Sequence, residues 1–292
     1  MKEEVYGYYC EAGRVANRVL SLGAREVRTG ASIAEVVTSI EQQVLDGEGV
    51  GLAFPLNLSI NEDAAHDTAM AGDERRLKEG DVVKLDLGVH IEGYIADVAT
   101  TVDLGNHGPL VNASRAALED AIRVVKPGVT AGEIGATIQH TIESQGFRPI
   151  ANLSGHGLDR YAIHVPPTIP NLAISGGSIL RHGMVFAIEP FATTGSGMVS
   201  ERNRVEIYQQ IAVKPVRLPS AKRIISLVRD RKGLPFSRRW IQGDKLDIAL
   251  QSLVSMKALH QYPVLRDIPG SLVSQHEHTL IMTEEGCVVT TR

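Results

Sequence analysis

At 292 residues, 43% of them hydrophobic, the chain can bury a large core as one big domain or two halves. The net charge of −4 implies no global attraction to nucleic acid, and no apolar run approaches the ~18 residues of a membrane span. The two cysteines, Cys10 and Cys287, and the lack of a signal-peptide pattern give the expectation of a reducing cytosol, against a disulfide framework.

In chain order, the opening "MKEEVYGYYCEAGRVANRVL" predicts an amphipathic helix near 4–22. A second helix is expected near 32–46 and strands near 50–60, 83–89 and 95–104. The stretch "KLDLGVHIEGYIADVATTVDL" (84–104) reads as two strands turning at Glu92-Gly93, with Asp86 on the first and Asp97 on the second, at nearly opposing positions. Helices follow near 112–124 and 130–145, strands near 183–191 and 206–214, helices near 219–231 and 244–258, and strand structure again near 272–290.

One internal repeat stands out. "VRTGASIAEVVTSIEQ" (27–42) aligns without gaps with "VKPGVTAGEIGATIQH" (125–140), at an offset of 98. Each copy has a glycine turn, then Ser32 or Thr130, then Glu35 or Glu133 three residues on, the pattern of a capping-box helix start. The match predicts a duplication: two related α+β halves facing each other across a cleft. Residues 201–240 differ from the rest. They hold eleven Lys/Arg against three acids, a segment of +8 on a remainder of −12, and they contain the only tryptophan, Trp240.

Chemistry concentrates in a few carboxylates and histidines. Opposing strand residues have Cβ atoms about 5 Å apart, so Asp86 and Asp97 repel unless a cation lies between them. On the hairpin alone, a metal, a salt bridge from Lys84 and plain solvent exposure all stay open. "NLSGHGLDRYAIH" places His156 in what reads as a glycine-flanked loop, with His164 eight residues on. Glu189 ends the apolar run "GMVFAIEPF" and Glu277 sits in "SQHEHTLIM", with His276 and His278 on the opposite face. Acids buried on apolar strands without matching Lys or Arg require a cation. Asp86, Asp97, His156, Glu189 and Glu277 would together hold two divalent ions. An oxygen-rich set with one imidazole suits Mn, Fe(II), Co or Zn.

This order of ligands resembles that of the pita-bread metallohydrolases: methionine aminopeptidases, proline-specific aminopeptidases and prolidases. The stretches "GLAFPLNLSINEDAAH", "LDLGVHIEGYIAD", "LSGHGLDRYAIH", "AIEPFATTG", "GLPFSRRW" and "GSLVSQHEHT" are together similar to type 2 methionine aminopeptidases, in its short archaeal form. The resemblance spans the chain. It implies a single duplicated pita-bread α+β domain over 1–292, with a helical insert subdomain at 194–262. It implies that Asp86 chelates one ion, Asp97 and Glu277 bridge both, and His156 and Glu189 bind the other. Glu189 would also take the proton from the metal-bound water, and the bridging hydroxide would attack the first peptide carbonyl. His66 and His164 would contact substrate beside the scissile bond. Phe54, Pro55, Ile163, Phe191 and Tyr262 would form the methionine slot. The activity implied is removal of the initiator methionine from nascent polypeptide N-termini, before a small second residue, by a cytoplasmic monomer without membrane contact.

From the residues alone, His66 could cap a loop, His164 could be a satisfied core histidine, and the apolar five could be ordinary core. Asp67 after His66, Gly157 after His156, and His276 depart from the family's usual residues. Asp67 raises the expectation of a shifted His66 pKa. An X-Pro aminopeptidase or prolidase shares all five ligands, and a non-catalytic pita-bread binding protein is the alternative of another class. The basic 201–240 segment reads either as a solvated face, partly structural through Arg238 and Arg239, or as a contact with ribosomal RNA.

Overall fold

The computed structural model describes residues 1–292. Its first half packs helices Glu3–Gly23 and Ile33–Leu45 on an antiparallel sheet, burying Val19, Val37 and Ile40 against Leu85 and Leu87. The hairpin of that sheet joins Val82–Ile91 to Tyr94–Asp103. Glu92 and Gly93 at its tip have φ of 52° and 87°, the two positive values that a tight two-residue turn between twisted strands requires. The register pairs Asp86 with Ala99 and Asp97 with Gly88. The two acids are thus diagonal neighbours on one face, not directly opposed.

The second half repeats the plan. Helices Gly108–Val124 and Ala131–Ser144 bury Leu118, Ile134 and Ile138 with Phe186 and Leu280 of a five-stranded sheet. The duplication extends to backbone bonds. Gly30 N–H donates to Leu77 O (2.8 Å) and Leu77 N–H to Ala31 O (2.9 Å), while Gly128 N–H donates to Leu180 O (2.9 Å) and Leu180 N–H to Val129 O (2.8 Å). Gly30 and Gly128 share a φ near 85–89°, which a side chain would strain. The caps are not identical. Thr130 and Glu133 form the full reciprocal box, whereas at Ser32 only the hydroxyl's bond from Glu35 N–H is made.

The halves are stitched where strand Tyr94–Asp103 meets strands Val273–Gln275 and His278–Met282. Ala99 and Glu277 exchange backbone bonds, Thr279 Oγ1 bonds both N–H and C=O of Asp97 (2.7 and 2.9 Å), and Thr101 Oγ1 donates to Gln275 O (2.6 Å). This seam brings Asp97 and Glu277, 180 residues apart, to one place.

Between strands Phe191–Thr193 and Val273–Gln275 the chain builds a further unit. Strands Ser200–Gln210 and Leu259–Arg266 pair antiparallel, and helices Pro219–Val228 and Leu246–Ser255 cover them through Ile224, Leu250 and Leu253. Its sheet continues into the first half, because Leu259–Arg266 also pairs with Asp63–Ala65. Sequence periodicity places a strand at 206–214, but it runs from Ser200 to Gln210. The helix expected at 219–231 is α-helical to Val228 and closes as a 3-10 turn over Arg229–Arg231.

One expectation fails outright. His156 is not in a loop but in strand Ser154–Asp159, paired with Ala162–Pro170. Its flanking glycines serve close packing, not turning. A Cβ at Gly155 would collide with Ala187 O, and one at Gly157 with Pro166 O.

Candidate active site

A cavity of about 260 Å3 opens between the halves, with a third wall from the inserted unit. Asp86, Asp97, His156, Glu189 and Glu277 all line it, as do His66 and His164. It has no lysine or arginine among its lining residues. Asp97, His156 and Glu277 each offer a ligand atom within 4.8 Å of the others. His156 Nε2 stands 3.7 Å from Asp97 Oδ2 and 3.8 Å from Glu189 Oε1, beyond hydrogen-bond reach but compatible with a shared ion.

The imidazole is prepared for that role. His156 Nδ1 lies 3.3 Å from Gly157 O, and a carbonyl can only accept, so Nδ1 carries the proton and Nε2 presents its lone pair. Burial pulls the ring's pKa down to about 3, keeping it neutral. The carboxylates shift the other way. Burial lifts Asp86 to about 7, and burial plus the neighbouring acids lift Asp97, Glu189 and Glu277 well above the usual range. Asp86 Oδ1, Asp97 Oδ1 and Glu277 Oε1 are buried with no hydrogen-bond partner. Orphaned acid oxygens converging on a neutral imidazole fit divalent cations and nothing the chain itself supplies.

Lys84 is not the counter-ion that the hairpin left open. Its side chain is fully buried, and Nζ donates to Asn61 O (2.8 Å) rather than to Asp86. Gln275, which sequence reasoning missed, does touch a candidate ligand. Its amide reaches Glu189 Oε2 (3.5 Å), and its nearness to Asp86 works against the rise that burial imposes on that carboxyl. The alternation around Glu277 could have pointed to it, since residues 275 and 277 share a face of an extended chain.

His66 follows strand Asp63–Ala65 in a left-handed conformation, φ 64°. Its Nδ1 faces Pro263 O at 3.2 Å, so that nitrogen is the donor and Nε2 the acceptor. Burial lowers its pKa to about 4, with His164 and His260 adding to the effect and the Pro263 bond opposing it. Asp67 is no part of this. It turns away from His66 into a buried ion pair with Arg75 (2.9 Å) and Arg204, so the shift expected from its neighbourhood in sequence is absent. His164 packs edge-on against His156, ring centroids 4.5 Å apart.

Phe54, Ile163, Phe191 and Tyr262 line the apolar part of the cavity; Pro55 does not. Pro55 is buried behind the wall, where its carbonyl accepts from Asn57 Nδ2 (3.1 Å). Ile207 and Pro235, which the sequence reading did not single out, take part instead. Both belong to the inserted region, where the apolar alternation of a strand and the "GLPFSRRW" block were visible but carried no direction. His276 and His278 are not solvent-facing. His276 is buried with Nδ1 2.8 Å from Ser114 Oγ, and His278 bonds Thr291 Oγ1 (2.8 Å), which leaves Glu277 alone pointing into the cavity.

The profile of metallopeptidase family M24 matches residues 8–215. The chain belongs to that family. A methionine aminopeptidase of Archaeoglobus fulgidus is 47% identical over the whole of both chains. Among solved structures, methionine aminopeptidase from Thermotoga maritima superposes with a TM-score of 0.72 at 26% identity, covering 100% of this chain and 98% of that one. A thermophilic Arx1 superposes with a TM-score of 0.89 at 19% identity, covering 99% and 91%, a likeness of fold alone. The M24 member is thus a metal-dependent aminopeptidase with the duplicated pita-bread fold. No helix is long and apolar enough to cross a membrane.

Proposed function

We propose that this M24 enzyme is a type 2 methionine aminopeptidase that removes the initiator methionine ahead of a small second residue. The observation that carries the reading is one cavity, lined by no lysine or arginine, joining the five candidate ligands to an apolar slot walled by Phe54, Ile163, Phe191 and Tyr262. The type 2 assignment rests on the unit at 194–262, which has its own apolar cluster around Ile224 and Leu253 and adds Ile207 and Tyr262 to the slot.

Asp86, Asp97, His156, Glu189 and Glu277 would hold two divalent ions, which supply a nucleophile at neutral pH and polarise a carbonyl. Glu189, beside His156 on the wall, takes the proton released as the nucleophile attacks. His66 is neutral with Nε2 free to accept, so it orients an amide N–H instead of donating to an oxyanion. His164 remains the imidazole available to donate to the developing charge.

The substrates are nascent N-termini. Of the basic residues of 201–240, Arg202, Arg204, Arg231, Arg238 and Arg239 are engaged within the chain. Lys214, Arg217, Lys222, Arg223 and Arg229 stay exposed and form the surface on which contact with ribosomal RNA would rest. Release of methionine from Met-Ala-Ser by metal-stripped protein, with each divalent ion added back in turn, tests the activity. No release with any ion in folded protein would refute it. Co-sedimentation with ribosomes that ignores salt would refute the RNA contact.

A further inference from the structure

The cavity draws walls from three parts of the chain: Phe54 from the first half, Ile163 from the second, and Pro235 and Tyr262 from the inserted unit. Something must hold these in register, and one short turn touches all three parts. It begins at Arg231, the last residue of the 3-10 turn. Lys232 and Gly233 then take positive φ of 51° and 92°, which folds Leu234 and Pro235 back toward the cavity.

Arg231 is the fastening. A single Nη2 donates to Leu52 O (2.9 Å), Ala53 O (3.2 Å) and Pro235 O (2.6 Å). The first two carbonyls immediately precede Phe54. The third belongs to a wall residue itself. The guanidinium is stacked on Trp240, 5.2 Å from the ring centre, which fixes its plane. Phe54 cannot retreat on its other side, because its ring lies where a Cβ of Gly88 would stand. Further bonds spread the same turn outward. Gly233 O accepts from Gln209 Nε2 (2.8 Å), whose Oε1 accepts from Tyr262 OH (2.5 Å). Lys232 Nζ donates to Tyr161 OH (2.9 Å), two residues before Ile163. Leu234 packs with Phe54 and Ile163 in one cluster behind the slot.

We infer that Arg231 sets the width of the side-chain slot, and is a positioning residue for methionine selectivity. It touches neither the proposed metal ligands nor the place of bond cleavage. Its guanidinium locks the Phe54 segment to the Pro235 segment, so the slot keeps the cross-section of an unbranched thioether. An ammonium could reach carbonyls but has no flat face to lie over Trp240 and fix where the donor points, so lysine replaces it only in part. The inference rests on the aminopeptidase reading given above.

The test is steady-state kinetics of Arg231→Met and Arg231→Lys with Met-Ala-Ser, norleucine-Ala-Ser and Leu-Ala-Ser, alongside bound-metal analysis. A slot loosened by roughly one methylene shifts selectivity by about 10-fold or more. Arg231→Met is expected to raise KM for Met-Ala-Ser about 10-fold and to lower the preference for Met over Leu by a similar factor. Its kcat should change by less than about twofold and its metal content not at all, because the cleavage site is untouched. Arg231→Lys should fall in between, and it retains enough packing to stand in if the Met variant does not fold. A Lys variant with wild-type KM and preference overturns the inference. So does one that loses kcat equally on all three peptides, which marks a general structural role. A wild-type protein inactive on every peptide overturns the aminopeptidase reading and this inference together; an active wild type with unaltered variants overturns this inference alone.

Discussion

Two buried clusters of carboxylates lie close together in this chain and solve the same problem in opposite ways. In the cleft, Asp97 and Glu277 are 3% and 1% exposed, and no lysine or arginine lines the cavity. In the seam between the first half and the inserted unit, Glu41, Asp63, Asp67 and Asp73 are also buried, and each has an arginine. Arg75 ties Asp67 to Asp73, Arg204 adds to Asp67, Arg266 meets Asp63, and Arg239 meets Glu41, whose second oxygen accepts from Trp240 Nε1 (3.1 Å). Burial makes a bare carboxylate charge costly in both clusters; what differs is who supplies the cation. Where the chain supplies it, the acid is structural. Where the chain withholds it, the acid is a candidate ligand for an ion from outside.

Removing one acid from each cluster should therefore have opposite consequences. Asp97→Asn is expected to lower methionine release by about 10³-fold or more, since groups acting as a unit fail together. The same change should not destabilise the metal-free protein, and should raise its melting temperature in chelator, because it removes a like-charge repulsion. A lower melting temperature would break the comparison. Asp67→Asn should instead cost about 3 kcal/mol, leaving Arg204 without a carboxylate and Arg75 with Asp73 alone, while turnover per folded molecule stays close to wild type. Urea denaturation combined with active-site titration separates the two quantities.

Added divalent ions sharpen the contrast. At 100 times the dissociation constant they should stabilise wild type by about 2.7 kcal/mol, stabilise Asp67→Asn by as much, and leave Asp97→Asn nearly unmoved. Calorimetric melting with and without ion reads this directly. The smallest effect sits at the edge of the seam, at His90. Burial first, then Arg231 and Lys232, bring its pKa from an ordinary 6.5 to about 4. Between those values the unfolded chain binds a proton that the native ring does not, so stability falls as pH drops from 6.5 toward 4. His90→Gln should make the melting temperature fall less steeply over that window, by one histidine's share of a slope that His66 and His156 also carry; an unchanged slope would remove His90 from the account.

Much of the fold was legible in local chemistry. The hairpin turn at Glu92-Gly93 and the Thr130–Glu133 box follow from rules that act over two to four residues. The repeat at 27–42 and 125–140 was legible too, because it is a comparison of the chain with itself. The candidate ligands became conspicuous as acids on apolar strands without a local cation, and the fold brings all five to one cavity. The misreadings share a cause. Glycines around His156 signal a loop or a close packing with equal force, and only the backbones of Ala187 and Pro166 decide between them. Asp67 stands next to His66 in sequence, yet its charge is spent on Arg75 and Arg204.

The amino-acid sequence by itself thus determined the elements, the duplicated plan and the stock of acids and imidazoles. It could do so because propensity, capping and periodicity act between residues a few positions apart. The tertiary structure alone decided which acids would be paired. Arg204 reaches Asp67 across 137 residues and Arg239 reaches Glu41 across 198, while no cation reaches Asp97 or Glu277. Charge compensation depends on distance in space, and that distance exists only once the halves and the inserted unit have closed on one another.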